Sequence, residues 1–562
     1  MKTIIIILFV SLLFCNKTAY SQQPTMVKDI NPGTTTSFFE PSFTAIGSTL
    51  YFAANDGTNG YELWKSDGTN AGTVMVKDIY PGYVNGIAFG SEPRNLTNVN
   101  GTLFFTANNG TNSRELWKSD GTEAGTIMVK DITTGFSNIQ ELTDVNGILF
   151  FSANDINGIE LWKSDGTEAG TAMVKDIYSG VSAGFANSSF PVSLTNINGT
   201  LFFEAKNNAD SFAKLWKSDG TTLGTVLVLG YPETTSTMLD VGKLYNMNNT
   251  LYLTIYDNFN GTELWKSNGT TAGTSMIKDI FPGYNIQVDV AYSSVPNNLT
   301  YINGIIFFSA ADTEIDSINK NFELWKTDGT NAGTVKVKEI RNGTYNYGSY
   351  PTSLVNGNGT LYFSANDGIN GIEIWKSDGT ETGTTIVKDL YSGIGNSEPR
   401  EFININGTTY FVANDGIIGQ ELFKTDGTVS GTIGYNIRFL SESSSPEYLT
   451  NVNGKLFFTA NNGGQNGREL WVLDTNSLSV KNNEITESKI TIFPNPVNNI
   501  LTIQIPEKTS MGNITITDLT GKKVLEQNNN ATSVNVENLQ NGIYLFQIVS
   551  EGKTATSKFI KQ

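Results

Sequence analysis

Carboxylates, tyrosines, lysines and hydroxyls are the only side chains here that could do chemistry. The 562 residues include no histidine and a single cysteine, Cys15. The first absence excludes imidazole bases, Ser-His-Asp and Cys-His arrangements and HExxH zinc sites. The second leaves no disulfide and no thiolate-held zinc once Cys15 is removed, as argued below. Two patterns among the remaining side chains invite a site. In the stretch from Asn55 to Glu62, oxygen donors gather at short spacing, so that Asn55, Asp56, Asn59 and Glu62 could ligate calcium. That spacing departs from an EF-hand, and a tight hairpin draws on the same residues, so a plain turn is the competing reading. No other cofactor is expected. The second pattern is aromatic. Tyr80, Tyr83, Tyr178, Tyr284, Tyr345 and Tyr347 stand in segments that vary along the chain, where rings could stack on sugars beside carboxylates and amides. The competing reading makes them ordinary loop tyrosines covering the ends of the fold. An Asp/Glu pair could hydrolyse glycosides without histidine, but no pair stands out among 54 acidic residues.

The elements that would position these residues come from a repeat. Glu62-Leu63-Trp64-Lys65-Ser66-Asp67-Gly68-Thr69 recurs with its tryptophan at Trp117, Trp162, Trp216, Trp265, Trp325, Trp375 and Trp471, and Phe423 takes the ring position in the eighth copy. The spacing averages about 51 residues, within the range of propeller blades. Each unit reads as four strands joined by Asn-Gly and Asp-Gly turns, which tolerate positive φ. Runs such as Leu103-Phe104-Phe105 have no solvent face and must be covered on both sides by neighbouring units. The ninth unit ends at Asp474 without a fourth strand, while Met26–Ile30 is an orphan fourth strand. The expected fold is therefore all-β: a propeller of about nine four-stranded blades, its ring closed by N- and C-terminal strands. Residues present in nearly every unit, Lys65 and Asp67 among them, read as architecture; a ligand site belongs where units differ.

The chain ends carry a different message. Met1-Lys2 and the apolar run Ile4–Phe14, followed by Ala19-Tyr20-Ser21, have the layout of a signal peptide cut after Ser21. Cleavage takes the net charge from −17 to −19, a balance that repels nucleic acid and anionic lipid. No later apolar run reaches the ~18 residues of a transmembrane helix. The expected organisation is residues 1–21 signal peptide, 22–474 propeller, 475–488 linker and 489–562 a small β-sandwich.

That last segment resembles the type A C-terminal sorting domain of the type IX secretion system of Bacteroidota. The resemblance is carried by Phe493-Pro494-Asn495-Pro496, by Gly521 in a Gly-Lys turn, by Gly542 and Tyr544 in Asn-Gly-Ile-Tyr, and by Lys558 near the end. It implies export by the type IX secretion machinery and a secreted or outer-surface destination. The ELWKSDGT repeats also look like propeller-like arrays of uncharacterised bacterial surface proteins, a resemblance that brings no activity. The expected function is a binding or adhesion module for extracellular polysaccharide or protein. The alternatives are a carboxylate-dependent glycoside hydrolase or lyase, and a purely structural surface protein. The missing histidine and the uniform repeats favour binding over catalysis.

Overall fold

The computed structural model describes residues 23–33, 35–38, 42–111, 113–208, 212–229, 239–285, 290–314, 320–341, 347–438, 442–463, 466–476, 491–504, 513–518, 522–527, 532–550 and 553–562. The signal segment with Cys15 and Ser21, Tyr345, Gly521 and the linker at 477–488 lie outside them. The chain forms two compact units that part after Asn476.

In the first unit, nine four-stranded antiparallel sheets form among the described residues. Eight are simple meanders; the second, for example, runs Arg94–Val99, Thr102–Ala107, Glu115–Ser119, Ile127–Lys130. The ninth is built from both ends of the unit. Glu447–Val452, Lys455–Asn461 and Arg468–Asp474 are completed by Thr25–Lys28, with Met26 opposite Trp471.

Nine apolar clusters, each shared by two adjacent sheets, close the ring. Trp117 of the second blade packs with Tyr51, Leu63 and Val76 of the first. At the seam of the ring, Val27 and Leu470 pack with Leu50, Phe52 and Trp64 in the same way. The double burial expected of the second strands follows from this arrangement: Leu103, Phe104 and Phe105 are all buried, Phe104 against the third blade and Phe105 against the first. Each buried indole removes on the order of 200 Å² from water.

Recurring lysines lace the blades. Lys65 Nζ donates to the Gly121 carbonyl of the next blade at 2.8 Å, and Lys77 Nζ to Thr126 at 2.9 Å. Across the seam Lys28 Nζ donates to Thr73 at 2.8 Å. Asp67 closes its own turn by accepting from Thr69 N and Oγ1. The repeated Lys and Asp are thus architectural.

The second unit pairs a three-stranded sheet with a four-stranded one. Ile492, Leu501, Ile503 and Val534 of the first share a core with Ile514, Ile516, Tyr544, Phe546 and Phe559 of the second, giving a small β-sandwich.

Candidate binding face

In a four-stranded meander, the turn between second and third strands and the connection to the next blade emerge on one face. Here the two are stitched together by the glutamate that opens each ELW motif. Glu62 is fully buried and accepts from Ile79 N (2.9 Å), Ser91 N (2.9 Å) and Ser91 Oγ (2.6 Å). The carbonyl of Ser91 then accepts Asn108 N of the second blade at 2.9 Å. One Glu–Ser clip therefore ties a blade to the connection that follows it and to the next blade. Glu160–Ser189, Glu263–Ser294, Glu323–Ser349 and Glu373–Ser397 repeat it. Ser37 with Glu469 carries it across the seam. Burial pushes Glu62, Glu160, Glu263, Glu323 and Glu421 up to about 7 and Glu469 to about 8; the donated hydrogen bonds pull the other way. In the fourth blade Lys214 replaces the glutamate, buried, its ammonium 2.6 Å from Asn207 Oδ1.

This clip engages one of the four residues of the calcium expectation at Asn55–Glu62. Asn55 Oδ1 accepts Gly57 N, and Asp56 accepts Thr58 N, Asn59 N and Asn59 Nδ2, which makes a turn. Glu62 is withdrawn from that set because backbone N–H groups and Ser91 occupy both of its oxygens. The serine partner follows its glutamate across a connection whose length and composition vary, so the short-range pattern gave no sign of it.

The six tyrosines separate by environment. Tyr80 is half-buried, stacked on Phe89 at 4.6 Å, with its ring against Gly110 of the next blade. Tyr178 is half-buried. Tyr83 is 60 % exposed, and Tyr284 and Tyr347 are exposed, the last under the Arg341 guanidinium at 5.6 Å. Tyr345 lies outside the described residues.

Three of the connections fold into small hairpins that raise their tips: Tyr83–Val84 with Ile87–Ala88, Val181–Ser182 with Phe185–Ala186, and Tyr284–Asn285 with Val290–Ala291. Exposed apolar side chains crown these tips and the neighbouring turns. They include Ile87, Phe185 at 78 %, Phe136 at 83 %, Ile156 and Ile394. Ring stacking on sugars singles out tyrosine and passes over these side chains; an isoleucine or phenylalanine inside a polar connection is their signal in the sequence. On the same face a cleft of about 280 Å³ lies between the first two blades, lined by Tyr61, Glu92, Pro93 and Arg94. Glu92 there accepts from Arg94 and Arg114 at 3.1 and 3.0 Å. The cleft of about 340 Å³ on the opposite face is walled by Lys163, Asp165 and Gly220, residues of the repeat itself.

In the C-terminal unit the motif residues are staples. Asn495 donates to the Lys558 carbonyl (3.1 Å) and accepts Ile560 N (2.9 Å), fastening the Phe-Pro-Asn-Pro turn to the last strand. Tyr544 donates to the Gln540 carbonyl at 2.8 Å and stacks with Phe559. Gly542 begins the strand that carries Tyr544, while Phe493, Pro494, Pro496 and Lys558 are exposed.

The molecule is thus an all-β propeller joined to a β-sandwich. Residues 491–562 match the secretion system C-terminal sorting domain. The chain is cargo of the type IX secretion system, with a secreted, cell-surface destination. No curated protein matches it. Among solved structures it is similar to a puromycin hydrolase at 12 % identity and a TM-score of 0.34, covering 67 % of this chain and 59 % of that one. It is also similar to PorZ, described as a surface component of the type-IX secretion system of Porphyromonas gingivalis. There the identity is 12 % and the TM-score 0.24, with 93 % of this chain and 75 % of that one covered. A prolyl endopeptidase matches at 10 % identity and a TM-score of 0.33, covering 66 % of this chain and 52 % of that one. The chain spans about three fifths of the length of the puromycin hydrolase. No helix among the described residues is long and apolar enough to cross a membrane.

Proposed function

We propose that this exported propeller is a binding and adhesion module whose loop-bearing face docks an extracellular macromolecule. The observation that carries the reading is the crown of exposed apolar tips: Tyr83, Ile87, Phe136, Phe185, Tyr284 and Ile394. These side chains stand in the connections after the first, second, third, fifth and seventh blades, and exposed large apolar groups gathered on one face suit an interaction surface. The crown sits on connections that differ from blade to blade, where the repeated architecture does not dictate the residue. Its mix of aliphatic and aromatic tips suits a protein surface better than a sugar polymer, because pyranose faces stack on rings and gain little from isoleucine. The test is a paired screen of the purified chain against outer-surface protein extracts and a polysaccharide panel, with product analysis of every mixture. Retention of a protein without product supports the reading. Retention of a polysaccharide moves the ligand to the aromatic tips alone. Release of a product overturns it in favour of an exoenzyme.

A further inference from the structure

Six connections between blades end on the clip serine, one variable residue and a proline. They are Ser91-Glu92-Pro93, Ser189-Phe190-Pro191, Ser294-Val295-Pro296, Ser349-Tyr350-Pro351, Ser397-Glu398-Pro399 and Ser444-Ser445-Pro446. A seventh, Ser137-Asn138-Ile139, has isoleucine in place of the proline. The serine and the proline or isoleucine are buried in all seven. The residue between them is left-handed every time: φ is 46° at Glu92, 44° at Asn138, 49° at Phe190, 47° at Val295, 48° at Tyr350, 49° at Glu398 and 46° at Ser445. Its N–H is tied to the carbonyl just ahead of the clip glutamate, as Glu92 N is to Tyr61 at 2.9 Å and Tyr350 N to Phe322 at 3.1 Å. Glycine or asparagine adopts this backbone at least cost, whereas a bulky or β-branched side chain is a genuine outlier there. Only Asn138 is what the backbone prefers. Phe190, Val295 and Tyr350 are 50 %, 37 % and 43 % exposed, so packing does not offset the strain. Side chains kept against the backbone and left in solvent point to function.

The seven positions stand round the axis of the ring. Each lies two residues before the first strand of a blade, and the first strands of neighbouring blades pack against one another all the way round. Hydrogen bonds tie one position to the next. Asn95 Nδ2 donates to the Ile139 carbonyl at 3.3 Å, Asn298 Nδ2 to Pro351 at 3.4 Å, and Leu449 N to Glu401 at 3.1 Å. The variable residues therefore edge the mouth of the ring on its loop face. That edge has two unlike arcs. Phe190, Val295 and Tyr350, with Val192 at 40 % exposed, make an apolar arc on the fourth, sixth and seventh blades. On the second and eighth blades the same four residues, Ser-Glu-Pro-Arg, set Glu92 before Arg94 and Glu398 before Arg400. Arg94 gives Glu92 one bond at 3.1 Å. Arg400, half-buried, has no hydrogen-bond or ion-pair partner among the described residues.

We propose that the mouth of the ring grips a projecting polypeptide segment of the partner, with apolar side chains against Phe190, Val295 and Tyr350 and a carboxylate on Arg94 or Arg400. The inference rests on the loop-face reading above and narrows it to one place and one kind of ligand. Tyrosine, phenylalanine and arginine are the residues enriched at protein interfaces and their hot spots. Val192 and Val295 gain little from a pyranose face, which stacks on rings. A guanidinium takes a carboxylate in a two-pronged fork, and the donors of Arg400 are unengaged. Glu92 and Glu398 beside the arginines repel a polyanion such as an acidic polysaccharide, while a single carboxylate is still met. The crown of tips stands earlier in the connections, on hairpins raised above the strand ends. A segment that projects reaches the mouth between them.

A displayed library of random linear peptides tests the proposal, selected on the whole chain and followed by calorimetric titration of the synthetic peptides it yields. The expected peptides join Asp or Glu to apolar side chains. The combined variant Phe190→Asn, Val295→Asn and Tyr350→Asn gives three positions the residue that Asn138 already shows there. It is expected to weaken the selected peptide at least ~10-fold and to melt no lower than the unaltered chain, because the backbone is relieved. Arg400→Gln, which breaks no hydrogen bond, is expected to weaken the same peptide about 5-fold without moving the melt; it keeps the test decisive if the triple variant does not fold. A variant with Tyr83, Phe136, Phe185 and Tyr284 changed to serine is expected to bind the peptide as the unaltered chain does. A peptide lost by that variant but kept by the triple variant overturns the proposal and leaves the loop-face reading standing. A peptide kept by every variant overturns it and places that binding away from the loop-face side chains. Selection of no peptide overturns it, as does a triple variant that melts lower, since the three side chains would then be held for packing.

Discussion

At the scale of single residues, the glutamate of each ELW motif is the side chain whose role in this molecule is most sharply defined. Glu160 is fully buried and accepts from Ile177 N, Ser189 N and Ser189 Oγ. Truncation leaves these donors without a partner away from water. Glu160→Ala is therefore expected to lower stability by about 3–5 kcal/mol in chemical denaturation, while Lys163→Met, which removes one donor to Gly220, is expected to cost about 1 kcal/mol. The same glutamates set a pH dependence. Their folded pKa values are raised to about 7, and to about 8 for Glu469, from 4.5. A raised acid contributes stability that is complete below its unfolded pKa and is lost as pH climbs through the folded one. The exposed turn aspartates Asp67, Asp165 and Asp378 are held below 3.8 by their threonines, so their contribution is lost on acidification below that value. Melting temperature measured against pH should peak between about 4 and 6 and fall steadily to pH 8. A flat profile from 5 to 8 would contradict the buried-glutamate account. None of this was legible in the sequence: Glu62 read as a calcium candidate because its loop neighbours are near in sequence, while Ser91, its true partner, lies beyond a variable connection.

At the scale of elements, the sequence was most informative. Tryptophan spacing announced the blades, Asn-Gly and Asp-Gly the hairpins, and Met26–Ile30 the strand missing from the ninth unit. The pairing of Thr25–Lys28 with Arg468–Asp474 is that strand found in place. Val27 at the seam and Val76 at an ordinary junction are buried alike, 6 % and 7 % exposed. Val27→Ala and Val76→Ala are thus expected to cost the same, about 2 kcal/mol each. A near-neutral Val27→Ala would show that the ring is not closed by this strand. Two features of the elements were hidden. Each of seven inner strands bends through a bulge with a non-glycine residue at positive φ, such as Glu141 at 61°, Glu401 at 53° and Tyr448 at 62°. Glutamate, serine and tyrosine are not residues that announce such a backbone; the inter-blade packing imposes it. The small hairpins at Tyr83–Val84 and Val181–Ser182 were hidden because two-residue strands are too short for any periodicity to show.

At the scale of the whole molecule, repetition separates architecture from function. Clips, lacing lysines and inter-blade indoles recur around the ring and hold it; the crown of tips varies and is free to specialise. The C-terminal sorting domain directs the molecule to the surface, and the proposed function assigns the propeller's loop face to docking there. The most direct test is calorimetric titration of the partner recovered in the surface screen against three forms of the chain. These are the unaltered protein, a variant with Tyr83, Phe136, Phe185 and Tyr284 changed to serine, and a control with the exposed opposite-face residues Leu223 and Val429 changed to serine. The account predicts that the first variant loses at least 100-fold in affinity, about 2.7 kcal/mol, and that the control binds as the unaltered protein does. Full binding by the loop-face variant, or loss of binding in the control alone, would contradict it.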